Sequence, residues 1–274
     1  CGMGICQDCL LTVDGISNRR ACMTKAADGQ NVERQVAFPV LGTFPISPKA
    51  PAARKLEPDV AIIGGGAGGL SAAIAARASG ASVVVLDERE VGGGQYYKQA
   101  VGHYPLDDQQ QEGAALLSLA KESGAEIIGS VEIWGAFDGP LFLAECNGAA
   151  YIIQPKTVII STGAYERPVM VPGWTLPGVM TTGAAQTLWR SYRTLPGLRV
   201  AVCGSGPLNA QLALELAKGG AEVTILAESA PPPWRAPATA FKAAMADPGL
   251  IVKGFSMLRD LKLRGVALHY RTQL

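Results

Sequence analysis

The stretch DVAIIGGGAGGLSAAIAARASGASVVVLDE, residues 59–88, decides the fold class of this 274-residue chain. The continuous apolar run Val60–Ile63 predicts a buried strand, and the alanine-rich run Leu70–Ser79 predicts a helix that Gly80 ends. Ser82–Leu86 predicts a second strand. A strand, a helix and a second strand in this order, with glycine-rich turns, are typical of a parallel sheet covered by helices, so the chain is predicted to be an α/β protein.

Between the first strand and the helix lies the pattern G-x-G-x-x-G, formed by Gly64, Gly66 and Gly69. The first glycine permits a tight turn, the second lets the backbone approach a pyrophosphate, and the third lets the helix pack closely on the strand. The N-terminus of the helix then presents free N–H groups to the phosphates. Asp87, 23 residues after Gly64, stands where an acid accepts a hydrogen bond from a ribose hydroxyl. The pattern predicts a dinucleotide site, and a glycine-rich loop with a strand-end acid is the alternative.

A second repeat of the same kind lies about 140 residues further along, in LRVAVCGSGPLNAQLALELAKGGAEVTILAE at residues 198–228. Its predicted strand, helix and strand are Val200–Cys203, a helix to about Lys218, and Glu222–Leu226. Gly204 and Gly206 keep the first two glycines, whereas Asn209 replaces the third and weakens the close packing of helix on strand. Glu228 is the candidate ribose ligand. Nucleotide binding and a retained fold with an altered or empty site both stay open here.

The segment KTVIISTGA, residues 156–164, lies between the repeats and is predicted to be another apolar strand, which ends in Thr162-Gly163. In flavoproteins with two dinucleotide-binding domains, such a strand returns to the first sheet and its glycine passes near the flavin nucleotide. A plain junction between a strand and a turn is the alternative. Two Rossmann-type repeats joined by a returning strand favour a flavoprotein over a simple dehydrogenase.

Four of the six cysteines stand in the first 22 residues, at Cys1, Cys6, Cys9 and Cys22. The first three follow the C-x4-C-x2-C spacing of plant-type [2Fe–2S] proteins, and such a cluster needs four thiolates. A structural zinc site and disulfide bonds are the alternatives, but zinc sites usually use two C-x2-C pairs and only Cys6 and Cys9 form one. The flanking segment LLTVDG is predicted to be a strand that enters a turn at Asp14-Gly15, and RRACMT to be the strand that carries Cys22. The pattern predicts a [2Fe–2S] cluster and one-electron transfer.

Composition excludes several classes of protein. The 24 Lys and Arg residues balance 23 Asp and Glu residues, and no basic stripe suggests a nucleic-acid partner. The longest apolar stretch, Val60 to Ala76, is broken by five glycines and a serine, so no transmembrane segment is predicted. The two histidines, His103 and His269, lie in no motif, which gives a histidine-based hydrolase or metalloenzyme little support. Cys146 and Cys203 are expected to be ordinary structural cysteines.

Four further segments carry a resemblance to a known family: VGGGQYY at 91–97, STGAYERPVMVPGWTLPGVMTTGAAQ at 161–186, GSGPLNAQLALELAKGGAEV at 204–223 and LIVKGFSMLRDLKLRGV at 250–266. The chain resembles the α-type subunits of multimeric amine and amino-acid dehydrogenases, which include sarcosine oxidase, the dye-linked proline and hydroxyproline dehydrogenases, opine oxidase and hydrogen cyanide synthase. The N-terminal CGMGICQDC with RRACMT is similar to the ferredoxin-like module of these systems. The resemblance implies an FAD/NAD(P)-binding Rossmann-type fold of the two-dinucleotide-binding flavoproteins, preceded by a partial ferredoxin-like domain.

The resemblance also implies which residues hold FAD. The residues expected to bind it are Gly64, Gly66, Gly69, Asp87 and Gly163, with Gly93, Gly94 and Gln95 close to the cofactor. A Gly-Gly turn allows close approach of the backbone, and Gln95 can hydrogen-bond a polar edge, while a flexible loop is the alternative at these positions. Tyr165, Glu166 and Arg167 could serve the active centre or a subunit interface, and no residue is assigned as catalytic.

The second nucleotide site is expected to use Gly204, Gly206 and Glu228. NAD, a second FAD and ATP all stay open as its ligand. Glu228 favours an unphosphorylated ribose, because a carboxylate would repel a 2′-phosphate.

Four regions are predicted from these patterns. They are 1–36, part of a ferredoxin-like [2Fe–2S] module; 37–57, a proline-containing linker; 58–195, an FAD-binding domain; and 196–274, a second and incomplete nucleotide-binding domain. The chain starts on a candidate cluster ligand and stops after the second repeat and a predicted helical insertion, so we expect it to be cut at both ends.

By this resemblance the chain is expected to be an FAD-dependent oxidoreductase subunit of a heteromer. Its partner would be a catalytic flavoprotein β subunit of the amino-acid oxidase type, which oxidises an amine, amino acid or opine, and its electron acceptor is not identified. The expected location is cytoplasmic, or peripheral to the inner membrane through partners. The alternatives are a self-contained NAD(P)H:acceptor reductase and a nucleotide-binding scaffold subunit.

Overall fold

The computed structural model describes residues 7–24, 26–35, 52–232, 235, 242 and 245–272. The chain divides into two compact units, which are Val40–Tyr165 with Arg190–Tyr192 (the first unit) and Cys1–Pro39, Glu166–Trp189 and Arg193–Leu274 (the second unit). In chain order, the strands are β1 Leu10–Val13, β2 Ile16–Arg20, β3 Val32–Arg34, β4 Arg54–Leu56, β5 Val60–Ile63, β6 Val83–Leu86, β7 Glu126–Ile128, β8 Val131–Phe137, β9 Leu141–Cys146, β10 Ala149–Ile153, β11 Thr157–Ile160, β12 Arg199–Gly204, β13 Glu222–Glu228 and β14 Ala267–Tyr270. The helices are α1 Ala67–Ala78, α2 Gly94–Tyr97, α3 Asp108–Glu122, α4 Thr182–Tyr192, α5 Pro207–Lys218 and α6 Pro248–Leu263.

The N-terminal strands form an antiparallel sheet in the order β2-β1-β3. The predicted turn Asp14-Gly15 joins β1 to β2, and its residues have φ values of 53° and 78°, as a two-residue hairpin turn requires. The prediction of a strand through Cys22 is wrong, because β2 ends at Arg20 and Ala21–Met23 form a short 3-10 helix. A hydrogen bond of 2.9 Å from the N–H of Ala21 to the carbonyl oxygen of Cys9 holds this turn.

The first unit contains a parallel sheet in the order β11-β5-β6-β7. β5 has the predicted bounds, and α1 begins at Ala67, slightly before the predicted Leu70. The predicted return of a strand to this sheet is confirmed, since β11 pairs in parallel with β5. β11 ends at Ile160 rather than at the predicted Thr162-Gly163, and Gly163 has a φ of 70°, which lies outside the range of strands.

A second sheet of the first unit, in the order β4-β10-β9-β8, packs against the parallel sheet. Ala61 and Leu86 of the parallel sheet contact Ile153 of the second sheet in a buried apolar cluster. On the opposite side of the parallel sheet, Ile62 and Val85 pack with the residues of α1. Burying each large aliphatic side chain contributes about 1.5–3 kcal/mol. The parallel strands are therefore fixed from both sides, and their carboxyl ends meet at one edge, where ligands of open α/β sheets bind.

The second unit contains a parallel sheet in the order β12-β13-β14 with α5 and α6 packed on it. Val202, Leu212, Leu226 and Leu261 belong to its buried apolar cluster. β12, α5 and β13 lie where the sequence predicts them, and α5 ends at Lys218 as expected. β14 has no counterpart among the predicted elements, and it extends the sheet by pairing in parallel with β13.

α6, with 16 residues, is the longest helix of the described part of the chain. The side chain of Asp247 caps it by accepting a hydrogen bond of 3.0 Å from the N–H of Leu250. No helix among the described residues combines the length and the apolar character that crossing a membrane requires.

Candidate functional site: an FAD cavity, a second cavity and a thiol pair

A cavity of about 680 Å³ lies at the carboxyl ends of β5, β6 and β11 in the first unit. Seven of the eight residues predicted for FAD line it, namely Gly64, Gly66, Asp87, Gly93, Gly94, Gln95 and Gly163. The eighth, Gly69, lies in the first turn of α1, next to the glycine turn. The volume is in the range of cofactor sites, and the residues come from four separate segments that the fold brings together.

Two glycines of the turn between β5 and α1 leave no space for a side chain. Gly64 has a φ of 104°, and a Cβ built on it would lie 2.2 Å from the carbonyl oxygen of Ser161. A Cβ on Gly69 would lie 1.9 Å from the carbonyl oxygen of Gly64. The turn is therefore pressed between β11 and α1, which leaves the N-terminus of α1 open toward the cavity as a site for phosphate.

Asp87, at the end of β6, is buried and holds the glycine turn. Its Oδ2 accepts a hydrogen bond of 2.5 Å from the N–H of Gly65, and its Oδ1 accepts one of 2.7 Å from the N–H of Arg89. Burial raises the pKa of the Asp87 carboxyl, and the two N–H groups oppose this shift only in part. A carboxylate has about four lone-pair sites, so Asp87 keeps acceptor positions for ribose hydroxyls while it fixes the turn.

The segment Gly93–Gln95 lies directly on the glycine turn. The N–H of Gly93 donates a hydrogen bond of 2.8 Å to the carbonyl oxygen of Gly65, and Gly93 also forms a parallel β-bridge with Gly66. A Cβ on Gly94, whose φ is 63°, would lie 2.8 Å from the Cα of Gly66. This close backbone contact rules out a loose loop at these positions, and it leaves the exposed Gln95 side chain at the cavity.

A second cavity, of about 610 Å³, lies in the second unit beside the turn between β12 and α5. Gly204 and Asn209 line it, whereas Gly206 and Glu228 are not among its described lining residues. Glu228 accepts hydrogen bonds of 3.0 Å from the N–H groups of Gly206 and Ala230. It thus holds its turn as Asp87 holds the first turn, through one N–H of the glycine loop and one N–H two residues after the acid.

Two of the four predicted cluster ligands, Cys9 and Cys22, lie with their Sγ atoms 3.3 Å apart. Cys1 and Cys6 lie outside the described residues. Burial opposes ionisation of the Cys9 thiol, but hydrogen bonds from the backbone and side chain of Cys22 outweigh it and lower the pKa of Cys9. Thiolates are the ligands of iron–sulfur clusters, and 3.3 Å is short enough for both sulfurs to bind one iron. Within the described ranges, no group of three or more His, Cys, Asp or Glu side chains is placed to hold a metal ion.

The sequence of residues 58–247 matches the family model described as pyridine nucleotide-disulphide oxidoreductase. The chain belongs to this family. Residues 1–37 match a second family model, the 2Fe-2S iron-sulfur cluster binding domain. This pyridine nucleotide-disulphide oxidoreductase is therefore an FAD-dependent oxidoreductase that also carries a [2Fe–2S] domain, and the predicted fold class and both predicted cofactors are confirmed.

Relatives of this oxidoreductase are named as subunits. One of the two subunits named for opine oxidase, from Agrobacterium tumefaciens (strain Ach5), is 37% identical over 43% of this chain and 23% of its own length. Hydrogen cyanide synthase subunit HcnB of Pseudomonas aeruginosa is 36% identical over 43% of this chain and 25% of its own length. The match thus spans about a quarter of each of these relatives. Among solved structures, L-proline dehydrogenase from P. horikoshii is similar with a TM-score of 0.65 and 25% identity, covering 78% of this chain and 42% of that chain.

Several residues of the FAD cavity of this oxidoreductase are missed by the sequence reasoning. Glu88 and Arg89 line the cavity just after Asp87, and Ser161 lines it just before the predicted Gly163. The Tyr165 hydroxyl donates a hydrogen bond to the Glu88 carboxylate, and burial together with that carboxylate raises the pKa of the tyrosine. Position next to a predicted ligand is a signal that could have found Glu88 and Ser161. Glu132 of β8 also lines the cavity, and no pattern in the sequence points to it.

The three residues whose role the sequence leaves open divide between the two units. Tyr165 belongs to the FAD cavity, while Arg167 lines the second cavity. Glu166 accepts hydrogen bonds of 2.8 and 2.7 Å from the N–H of Gly183, in the first turn of α4. A carboxylate at a helix N-terminus is favoured by the helix dipole, so Glu166 stabilises the start of α4. That contact gives Glu166 a structural role.

Proposed function

We propose that this chain is the electron-transfer subunit of a multi-subunit enzyme that oxidises an amine, amino acid or opine. A separate flavoprotein subunit of the amino-acid oxidase type would carry the substrate site, while this chain would pass the electrons to an acceptor. The observation that carries the proposal is that one chain combines an FAD cavity with a close pair of candidate cluster thiols, Cys9 and Cys22. The names of the relatives support it, because the matches from opine oxidase and from hydrogen cyanide synthase are both named as subunits.

The proposed roles of the residues follow from their contacts. FAD, when bound, accepts two electrons, and a [2Fe–2S] cluster carries one at a time, so the pair converts two-electron into one-electron transfer. The glycine turn at Gly64 would hold the pyrophosphate, Asp87 a ribose, and Gln95 a polar edge of the cofactor. Cys9 and Cys22, with Cys1 and Cys6, would hold the cluster.

The acids of the FAD cavity support a role in electron transfer rather than substrate oxidation. Asp87 accepts from two backbone N–H groups, and Glu88 accepts from the Tyr165 hydroxyl. A general base must reach the proton that it abstracts, and a carboxylate held by its neighbours is poorly placed for this. The chemistry of the substrate therefore fits a partner protein better than this cavity.

Replacing a cluster ligand tests the proposal. In the holoenzyme with its partner subunit, Cys22→Ala removes a thiolate, and we expect iron loss together with at least a roughly tenfold slower reduction of the acceptor. Reduction of the flavin by substrate should keep its wild-type rate. Cys146→Ala is the matched control, since Cys146 lies in β9 of the first unit and is not a predicted ligand.

Stopped-flow absorbance separates the two steps, because flavin bleaching and acceptor reduction are followed in the same sample. Equal losses of both rates in Cys22→Ala, with Cys146→Ala unaffected, would contradict the proposed order from flavin to cluster. Full acceptor reduction in an iron-free Cys22→Ala enzyme would exclude the cluster from the path.

A second candidate function is a self-contained NADH:acceptor reductase. It is favoured by the second cavity, whose Glu228 holds its turn as Asp87 holds the FAD turn. The carboxylate of Glu228 disfavours a 2′-phosphate, so NADH would be preferred over NADPH. Bleaching of the flavin by NADH in the isolated holoprotein, without substrate or partner, would favour this function. Bound nucleotide that never changes its redox state during turnover would instead favour a scaffold role.

The proposed domain limits are 1–36 for the [2Fe–2S] module, 37–57 for the linker, 58–195 for the FAD-binding domain and 196–274 for the second nucleotide-binding domain. The family matches at 1–37 and 58–247 support the first two limits. A cytoplasmic location, with contact to the inner membrane through partners, follows from the proposed electron-transfer role.

A further inference from the structure

Asn209 occupies the position at which the second repeat lacks the third glycine of the G-x-G-x-x-G pattern. In the first repeat, the corresponding Gly69 leaves no space, since a Cβ there would lie 1.9 Å from the carbonyl oxygen of Gly64. In the second repeat a whole amide side chain is accommodated, and Asn209 is only 6% exposed. The turn and the helix of the second repeat are therefore separated by a polar side chain rather than in direct contact.

The orientation of the Asn209 amide is fixed on its oxygen side. The Thr182 hydroxyl donates a hydrogen bond of 2.6 Å to Asn209 Oδ1. Asn209 Nδ2 lies on the other branch of the planar amide, next to Gly204, where a Cβ would be 2.7 Å from Nδ2. Thr182, Gly204 and Asn209 all line the second cavity. Among the described residues, Asn209 Nδ2 has no hydrogen-bond acceptor, although a buried amide N–H₂ group normally has one.

The N-terminus of α5 is short of backbone donors for a phosphate. The N–H of Gly206 donates to Glu228, and the first helical residue, Pro207, has no N–H. The N–H of Asn209 donates to the carbonyl oxygen of Gly206 over 3.2 Å. Three of the first four positions of this helix start are thus engaged or lack a donor. A side-chain donor in the same turn would supply what the backbone does not.

We infer that Asn209 Nδ2 donates a hydrogen bond to a phosphate oxygen of a ligand in the second cavity, and that this ligand contains an adenosine diphosphate moiety. The moiety is common to NAD, FAD and ATP, so the inference concerns the chemistry that these ligands share. It builds on the proposed second nucleotide site and does not depend on the electron-transfer role. A hydrogen bond from a neutral donor to a charged phosphate is stronger than one between neutral groups.

The test is the affinity for ADP, measured by isothermal titration calorimetry on holoprotein whose FAD site is filled. Asn209→Asp keeps an oxygen for Thr182 and removes the donor, and we expect ADP binding to weaken about 10- to 100-fold. Asn147→Asp is the matched control, because Asn147 is exposed in the turn between β9 and β10 of the first unit and adds the same charge. Its affinity for ADP should equal that of the wild type.

A second variant separates donation from space filling. Asn209→Gly restores the third glycine, and it should weaken ADP binding about tenfold if Nδ2 is a donor. Unchanged or tighter ADP binding in Asn209→Gly, or unchanged binding in Asn209→Asp, would overturn the inference. Absence of ADP binding in the wild type would also overturn it, whereas the rates measured for Cys22→Ala would be unaffected. Competition by NADH or ATP against bound ADP then tells which source supplies the moiety.

Discussion

Gly69→Ala adds one methyl group at the place where α1 meets the glycine turn. The new Cβ would lie 1.9 Å from the carbonyl oxygen of Gly64, and real Cβ atoms essentially never approach a heavy atom closer than 3.0 Å. Backbone on one side or the other must therefore move. Overpacking of this kind costs typically about 1–3 kcal/mol, and the upper end applies because the obstacle is backbone rather than a flexible side chain.

The neighbouring Gly68→Ala provides the matched control. Gly68 is also in the first turn of α1, but a Cβ there would lie 3.2 Å from Ser161 Oγ, a side-chain atom that can rotate away. Alanine is favoured over glycine in a helix by up to about 1 kcal/mol, so Gly68→Ala should be neutral or stabilising. We expect a difference of about 2–4 kcal/mol in unfolding free energy between the two variants.

Urea unfolding of the FAD-loaded protein, with FAD content determined beforehand, measures both effects. Gly69→Ala should lose FAD affinity at least about tenfold because the displaced turn carries the phosphate-binding N–H groups, while Gly68→Ala should keep its FAD. If Gly69→Ala unfolded at the wild-type urea concentration with full FAD content, the close contact between Gly64 and Gly69 would not exist in solution and this reasoning would be refuted.

Two further predictions concern side chains that hold the first unit together. Asp87→Asn leaves one oxygen for the two N–H groups that the carboxylate accepts, so FAD affinity measured by fluorescence titration should fall about 10- to 100-fold, while Asp138→Asn in an exposed turn should change nothing. Arg190→Met breaks the two-pronged contact of the buried guanidinium with Asp107, at 2.8 and 2.9 Å. We expect a loss of about 2–4 kcal/mol in urea unfolding, below the usual cost for a fully buried pair because Asp107 is 43% exposed, whereas Arg199→Met, in a pair whose arginine is 75% exposed, should cost less than about 0.5 kcal/mol. Equal losses in the two arginine variants would contradict the importance of burial.

The parts of the fold that the sequence predicts are those whose signals are local. An apolar run sets the bounds of β5, and three glycines with Asp87 at the end of the next strand identify the first cavity. The return of β11 to the first sheet follows from the repeat pattern and is confirmed by its pairing with β5. Period and spacing carry these predictions because the physical reasons act within a few residues.

The errors and omissions occur where distant residues decide. The sequence predicts a strand at Cys22, but the hydrogen bond between Ala21 and Cys9 favours a 3-10 turn that brings the two sulfurs to 3.3 Å. The contact of Glu88 with Tyr165 joins residues 77 positions apart. No periodicity reports such a contact, because it arises only when β6 and β11 end at the same edge of the sheet.

The two repeats show what the glycine pattern does and does not determine. Both have a strand, a turn, a helix and an acid that accepts a turn N–H, so the pattern predicts the local fold equally well in each. At the third position, Gly69 presses α1 onto its turn, whereas Asn209 keeps α5 apart from its turn and supplies a side-chain amide instead. Loss of the glycine therefore need not mean loss of a nucleotide site. The donor that replaces it changes how a phosphate would be held, and the affinity of Asn209 variants for ADP measures that change directly.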